Sequence, residues 1–352
     1  MEQPEAFDRH VQRFSGGIVS DIGYGHRIES FDDEFFVVGE GYGSLSLAGG
    51  TPSLLDLHPL FRYWPTWAPG SGFRKTMAAS KPFMDEIVFG NYKKVQEKMT
   101  AGVTRPSFTS KHLESIYRGE CGPDEHRALQ FSAGMIFAAG YDTTWHSITM
   151  FIACMLIYPE VQQRMQEEID RVVGRDRLPD FSDQESLPYL QCVMYEVHRW
   201  HPVVPVGLPH QVIVDDEYNG MHIPKNATII ANSRSITWDE TKFKDPRSFK
   251  PERFLPVSSG GGGEIFPVNA VYGWGRRICA GRHLAERSVW IALARIAATL
   301  TVSAAKDAEG REIKPDVKIC TGLTIHMDPF LCDIRGPRDE DALRMIQDVS
   351  ID

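Results

Sequence analysis

The 352-residue chain is short of positive charge, of paired cysteines and of lysine near its glycines, and each shortage removes a class of function. Lysine and arginine total 38 against 47 acidic residues, for a formal net charge of −9. Nucleic-acid phosphates demand clustered cations, so no nucleic-acid partner is expected. Six cysteines, Cys121, Cys154, Cys192, Cys279, Cys320 and Cys332, are scattered without a Cys-x-x-Cys pair. That pattern fits free thiols in a reducing compartment and excludes a disulfide-stapled secreted module. Cys279 and His283 have the spacing of half a zinc site, but no second pair accompanies them. Gly39, Gly41, Gly43, Gly49 and Gly50 lack the lysine of a phosphate-binding loop, so this run reads as a connection. The N-terminal residues carry neither a signal peptide nor a membrane anchor. The apolar stretch from Phe131 to Tyr158 is broken by Asp142 and His146, which predicts a buried core helix and not a membrane span.

What is present is ordinary for a globular chain. Hydrophobic residues at 42% and charged residues at 24% exclude global disorder, and the length allows a sizeable core. No internal repeat is visible. The chain opens helically, then bends through the aromatic and Pro/Gly-rich stretch at 62–75. Hydrophobic spacing predicts a charged helix over 76–100 and a long apolar one over 124–157. A helix opened by Pro159 stops at Gly174, another spans 190–200 before Pro202, and a last one spans 280–300. Short β-like runs fall at 211–214, 221–223, 228–231, 317–319 and 323–327. The Ser/Gly run at 258–263 reads as a solvated surface insertion. The expected class is mainly α with small β-sheets.

Three segments carry chemistry. Tyr272-Gly-Trp-Gly275-Arg-Arg277-Ile-Cys279-Ala-Gly281 is a tight loop that delivers one cysteine to the start of a helix, where free amide N–H groups stabilise a thiolate. Gly275 and Gly281 let a flat macrocycle approach without a Cβ clash, and Arg277 offers a fork of donors to a carboxylate. Read alone, this is equally a buried cysteine in a Gly-rich turn. Glu196-Val-His-Arg199 places an acid and a base on one helix face, where a surface ion pair is the plain alternative. Ala139-Gly140-Tyr-Asp142-Thr143-Thr144 puts poor helix formers and an ionisable group inside an apolar helix. The plain account there is a threonine bonding back to its own helix carbonyls.

Together with Pro251-Glu-Arg253-Phe254, these segments resemble in type and order the cytochrome P450 family. The loop matches F-x-x-G-x-R-x-C-x-G except that Tyr272 stands for Phe, and the ExxR, PERF and A-G-x-D-T-T segments are complete. The resemblance covers residues 1 to about 337 of a single partial domain over 1–352, with 338–352 as a C-terminal tail. It implies a cytochrome P450 fold lacking its N-terminal part, because Met1 aligns inside the D–E helix region.

By the same resemblance Cys279 is the axial ligand of haem b, a non-covalent iron protoporphyrin. Gly275, Gly281, Ala139 and Gly140 lie against that group, and Arg277 and His210 reach its propionates. Thr143 hydrogen-bonds dioxygen, Asp142 relays protons, and Glu196, Arg199 and Arg253 form a structural network. Ile136, Phe137, Ala139, Val204 to Leu208 and Gly322 to Thr324 resemble substrate-contact regions. The implied reaction is monooxygenation of a lipophilic small molecule. Electrons come from NADPH through the flavoprotein NADPH–cytochrome P450 reductase, docked near Arg276, Arg282 and Arg287. The stretch at 65–75 further resembles fungal members of secondary metabolism. Full-length members sit on the cytosolic face of the endoplasmic reticulum membrane. This chain, without an anchor, is expected to be cytoplasmic or peripherally membrane-associated. Two alternatives stay open: a truncated, non-catalytic chain with weak or no haem binding, and a haem protein doing peroxygenase or isomerase chemistry.

Overall fold

The computed structural model describes residues 6–49, 59–320 and 322–348. They fall into two compact units, residues 1–149 with 320–326, and residues 150–319 with 327–352.

The first unit is helical. Its elements are α1 (Phe7–Tyr24), α2 (Glu34–Gly49), α3 (Gly72–Asp85), a π turn (Glu86–Gly90), α4 (Asn91–Thr100), α5 (Phe108–Tyr117) and the greater part of α6 (Pro123–Ile157). The expected helix over 76–100 is therefore interrupted by the π turn. α1 stops at Gly25, whose φ of 67° needs a glycine and whose N–H donates to the Asp21 carbonyl. α5 starts at a reciprocal cap in which Ser107 and Ser110 each take the other's backbone N–H. Tyr24, Phe35, Phe36, Phe137 and Tyr141 form the centre of an aromatic core.

The glycine run is a helix and not a connection. A Cβ on Gly39 would lie 2.4 Å from the Tyr141 ring, and one on Gly41 would lie 2.1 Å from the Phe83 ring. Glycine weakens a helix by about 1 kcal/mol per residue. Here that cost is offset because α2 can lie directly on aromatic rings of α6 and α3. Gly50 lies outside the described residues.

The second unit contains the end of α6, then α7 (Pro159–Val172), α8 (Pro188–Trp200), α9 (Arg282–Thr299) and α10 (Glu340–Gln347). Prolines open α7 and α8, where their missing N–H has no cost. Val161, Met165 and Ile169 recur one turn apart and bury one stripe of α7. The strands are β1 (His210–Gln211), β2 (Asp216–Tyr218), β3 (Met221–Ile223), β4 (Thr228–Ile229), β5 (Thr301–Ser303), β6 (Ile319–Cys320), β7 (His326–Met327) and β8 (Asp333–Arg335). They pair in twos as β1–β4, β2–β3, β5–β8 and β6–β7. β2 and β3 turn at Asn219-Gly220, both at positive φ, as a tight hairpin requires. Gln162 of α7 holds β5 by donating to the Val302 carbonyl at 3.0 Å and accepting its N–H at 2.8 Å. Residues 338–352 include α10, which packs on α9 and buries Ala342 and Met345.

The fold is thus mainly helical with small two-stranded sheets. Among the described residues no helix is long and apolar enough to cross a membrane. α6 instead buries Phe137, Tyr141, Ile148 and Phe151 completely, as a core helix does.

Candidate functional site

The cysteine loop lies in the second unit. A helical turn (Val268–Tyr272) is followed by Gly273 at φ 88° and Gly275 at φ 57°, two left-handed positions that favour glycine. The Cys279 N–H donates to the Tyr272 carbonyl at 2.7 Å and closes the loop. The Cys279 carbonyl then accepts the Arg282 N–H at 3.4 Å as α9 begins, with Gly281 as its N-cap. Cys279 is exposed. A Cβ at Gly281 would stand 4.0 Å from the sulfur, whereas one at Gly275 would meet nothing within 4 Å. Arg277 is exposed and its side chain makes no hydrogen bond or ion pair with another described residue. The same holds for His210, at the exposed β1 position opposite Ile229. An open thiol beside open glycine backbone, with an uncommitted guanidinium two residues away, is a donor set that fits a flat, carboxylated, iron-bearing macrocycle.

Beneath the loop, the Tyr272 hydroxyl is buried without a hydrogen-bond partner among the described residues, and desolvation pushes its pKa up. Its ring meets His198 edge-on at 6.1 Å. Burial also pushes the His198 pKa down to about 4.

Glu196, Arg199 and Arg253 come together on the second unit as a buried cluster, so a surface pair is ruled out. Arg199 donates to both oxygens of Glu196, at 2.7 and 2.8 Å, and both side chains are fully buried. Its Nη1 reaches the Thr237 and Pro246 carbonyls at 2.9 and 2.8 Å. Arg253 Nε lies 3.0 Å from Glu196 Oε2, and the Lys250 N–H donates to Oε1 at 2.8 Å. The Ser/Gly run completes the cluster. It is largely exposed, as expected, yet Gly262, Gly263 and Glu264 donate their N–H groups to the carbonyls of Glu252, Leu255 and Arg253. That folds Glu264 back onto Arg253 at 3.0 Å. No local spacing in the sequence announced this fourth member.

The Ala139–Thr144 segment belongs to the first unit. Ala139 is exposed, whereas a Cβ on Gly140 would lie 2.4 Å from Val19, so this glycine admits α1. Five successive carbonyls accept side-chain donors. Thr143 donates to Ala139 at 2.8 Å, and Ser15 of α1 shares its one proton between Gly140 and Tyr141 at 3.0 and 2.6 Å. His146 donates through Nδ1 to Asp142 at 2.7 Å, and Ser147 donates to Thr143 at 2.9 Å. The back-bonded threonine is real, and it is one of a set that competes with the helix's own bonds over more than one turn. Asp142 is buried, and the Thr324 hydroxyl donates to its Oδ2 at 2.9 Å. Burial lowers the His146 pKa, which keeps that ring neutral. Thr324, His146 and Ser15 had no sequence signal for these roles, because each is defined by a partner from another element or by a bond to main chain.

The family profile of cytochrome P450 matches residues 4–326. The chain belongs to the cytochrome P450 family. It is 39% identical over 350 residues to cytochrome P450 monooxygenase 176 of Postia placenta, covering 99% of this chain and 67% of that protein. It is 34% identical over 350 residues to cytochrome P450 monooxygenase claR of Ampulloclitocybe clavipes, with 98% and 64% covered. Tryptamine 4-monooxygenase of Psilocybe cyanescens is 32% identical over 356 residues, with 98% and 69% covered. The chain therefore spans about two thirds of the length of these curated relatives. Membership of the cytochrome P450 family implies haem as the cofactor.

Proposed function

We propose that the protein is a haem-thiolate monooxygenase that inserts one atom of dioxygen into a lipophilic small molecule. The observation that carries this reading is the exposed Cys279 in its two-glycine loop, in a chain whose residues 4–326 match the family profile. When bound, haem b supplies the oxygen activation, with the thiolate pushing electron density towards it. Cys279 provides the sulfur, and Gly275 and Gly281 keep its neighbourhood clear of side chains. Arg277 and His210 supply donors for the carboxylate arms. Asp142 and Thr143 handle protons, Asp142 as a buried acid and Thr143 as a hydroxyl that both donates and accepts. Glu196, Arg199, Arg253 and Glu264 hold the segments that carry the cysteine loop.

Electrons come singly from NADPH through NADPH–cytochrome P450 reductase, and the site of action is the cytosolic face of the endoplasmic reticulum. Fungal relatives named as monooxygenases support the reaction class. The test is spectroscopic. The chain is expressed with haem supplied, reduced and exposed to carbon monoxide. A thiolate-type Soret band in the wild type that is lost in Cys279→Ala supports the reading. A wild-type chain that binds no haem would overturn it in favour of a non-catalytic family member. Product formation with peroxide alone, indifferent to NADPH and reductase, would turn it towards peroxygenase chemistry.

A further inference from the structure

We propose that Thr324 is the positioning residue for Asp142, and that through it the segment Gly322–Thr324 governs where the buried carboxylate points. The proposal rests on the monooxygenase reading above. Thr324 and Asp142 are 182 residues apart, and both are buried. The bond is therefore a tertiary contact and not an internal device of the helix. His146 braces the other side. Its Nδ1 is 2.7 Å from the Asp142 main-chain carbonyl and 3.5 Å from Oδ1. The ring has one proton at that nitrogen, and the shorter contact takes it. The neutral imidazole thus holds the backbone at Asp142, while Thr324 holds Oδ2 of the side chain. His326, two residues beyond Thr324, sets its ring 5.7 Å from that of His146. The segment is consequently fixed to this turn of α6 at two points, a hydrogen bond and a ring contact.

The nature of the donor matters. An arginine or lysine would lock a carboxylate in its charged form, with no acceptor of its own. A hydroxyl is neutral, rotates, and both donates and accepts, so it can hold the acid in place and still let it change protonation state. Any molecule that presses on Gly322–Thr324 acts on Asp142 through this bond. Proton delivery then responds to occupancy.

The test uses the full chain and two measurements. The first is a thermal double-mutant cycle without cofactor, with Thr324→Val, Thr324→Ser, Asp142→Ala and the Val/Ala double variant. Thr324→Val should lower the midpoint by about 2 °C. It should cause no further loss in the Asp142→Ala background, and Thr324→Ser should restore the wild-type value. The second measurement uses the haem-loaded chain with reductase, NADPH and 7-ethoxycoumarin as a lipophilic aromatic ether probe. Thr324→Val should cut the share of NADPH recovered as product about tenfold, the equivalent of one lost hydrogen bond to a charged group. Peroxide should rise in its place, the solvent isotope effect should increase, and the Soret band should not change. Additive midpoints in the cycle, or a product share in Thr324→Val equal to wild type, would overturn the proposal. A wild type without a thiolate Soret band would instead remove the monooxygenase reading, and the cycle would still decide whether Thr324 holds Asp142.

Discussion

Two regions of the second unit are built on opposite terms. Around Glu196 and Arg199, both fully buried, guanidinium and carboxylate groups find partners at hydrogen-bond distance, down to the carbonyls of Thr237 and Pro246. Around Cys279 the sulfur and Arg277 are exposed, and only the main chain is tied down. A charge in the interior is tolerated only with its partners complete, whereas a group meant for a ligand must keep its valences open. On the proposed haem-thiolate reading, the difference separates residues that hold the fold from residues kept for chemistry. Substitutions should therefore affect the two regions in opposite ways.

The largest effect is expected from Glu196→Ala, which leaves Arg199 and Arg253 buried without their shared acid. The loss should be ~3–5 kcal/mol, read as a lowered urea midpoint at constant slope. A variant within ~1 kcal/mol of wild type would show that the cluster is not what holds this region.

Acid should come next. His198 and His201 are buried, and desolvation pushes both pKa values down to about 4. Between that value and the unfolded value of about 6.5, the unfolded chain binds more protons than the folded one. Stability is therefore full above pH 6.5 and falls as pH drops towards 4. At pH 5 the expected loss is about 2 kcal/mol per histidine. Urea titrations at pH 7 and pH 5 should show the difference narrowed in His198→Leu, and an unchanged difference would point elsewhere.

A smaller effect, of opposite sign, is expected at Tyr272. Removing a buried hydroxyl without a described partner should leave stability unchanged or raise it by ~1 kcal/mol. A clear drop in Tm for Tyr272→Phe would mean that the hydroxyl has a role in the folded chain. The smallest change belongs to Cys279→Ala. Because the sulfur is exposed, the haem-free chain should move by no more than ~0.5 kcal/mol. The same substitution should abolish the thiolate spectrum. A large stability loss would place Cys279 with the buried cluster and dissolve the contrast.

Much of this was legible in the residue order. Prolines and helix periodicity located α6 to α9 within a few residues, and fixed spacings brought Cys279, Glu196 with Arg199, and Asp142 with Thr143 to notice. What stayed hidden depends on distance along the chain. Gly39 and Gly41 looked like loop because the rings that need their absent side chains, Tyr141 and Phe83, are remote in sequence. Glu264 follows a run that reads as solvated, and only backbone bonds turn it inward. Thr324 was noticed only within a substrate-contact stretch, and its bond to Asp142, 182 residues away, has no local pattern. α10 and the β5–β8 ladder escaped because they are short, eight residues and three paired positions, too few for a spacing to stand out.

The five carbonyls from Ala139 to Thr143 have a consequence for motion. Each already has a second donor, so stretching a main-chain bond there leaves no bare oxygen in the interior. This turn of α6 can breathe at low cost while the flanking turns stay closed. Its amides 143–147 would then exchange with solvent sooner than their depth implies, through local opening of a single turn.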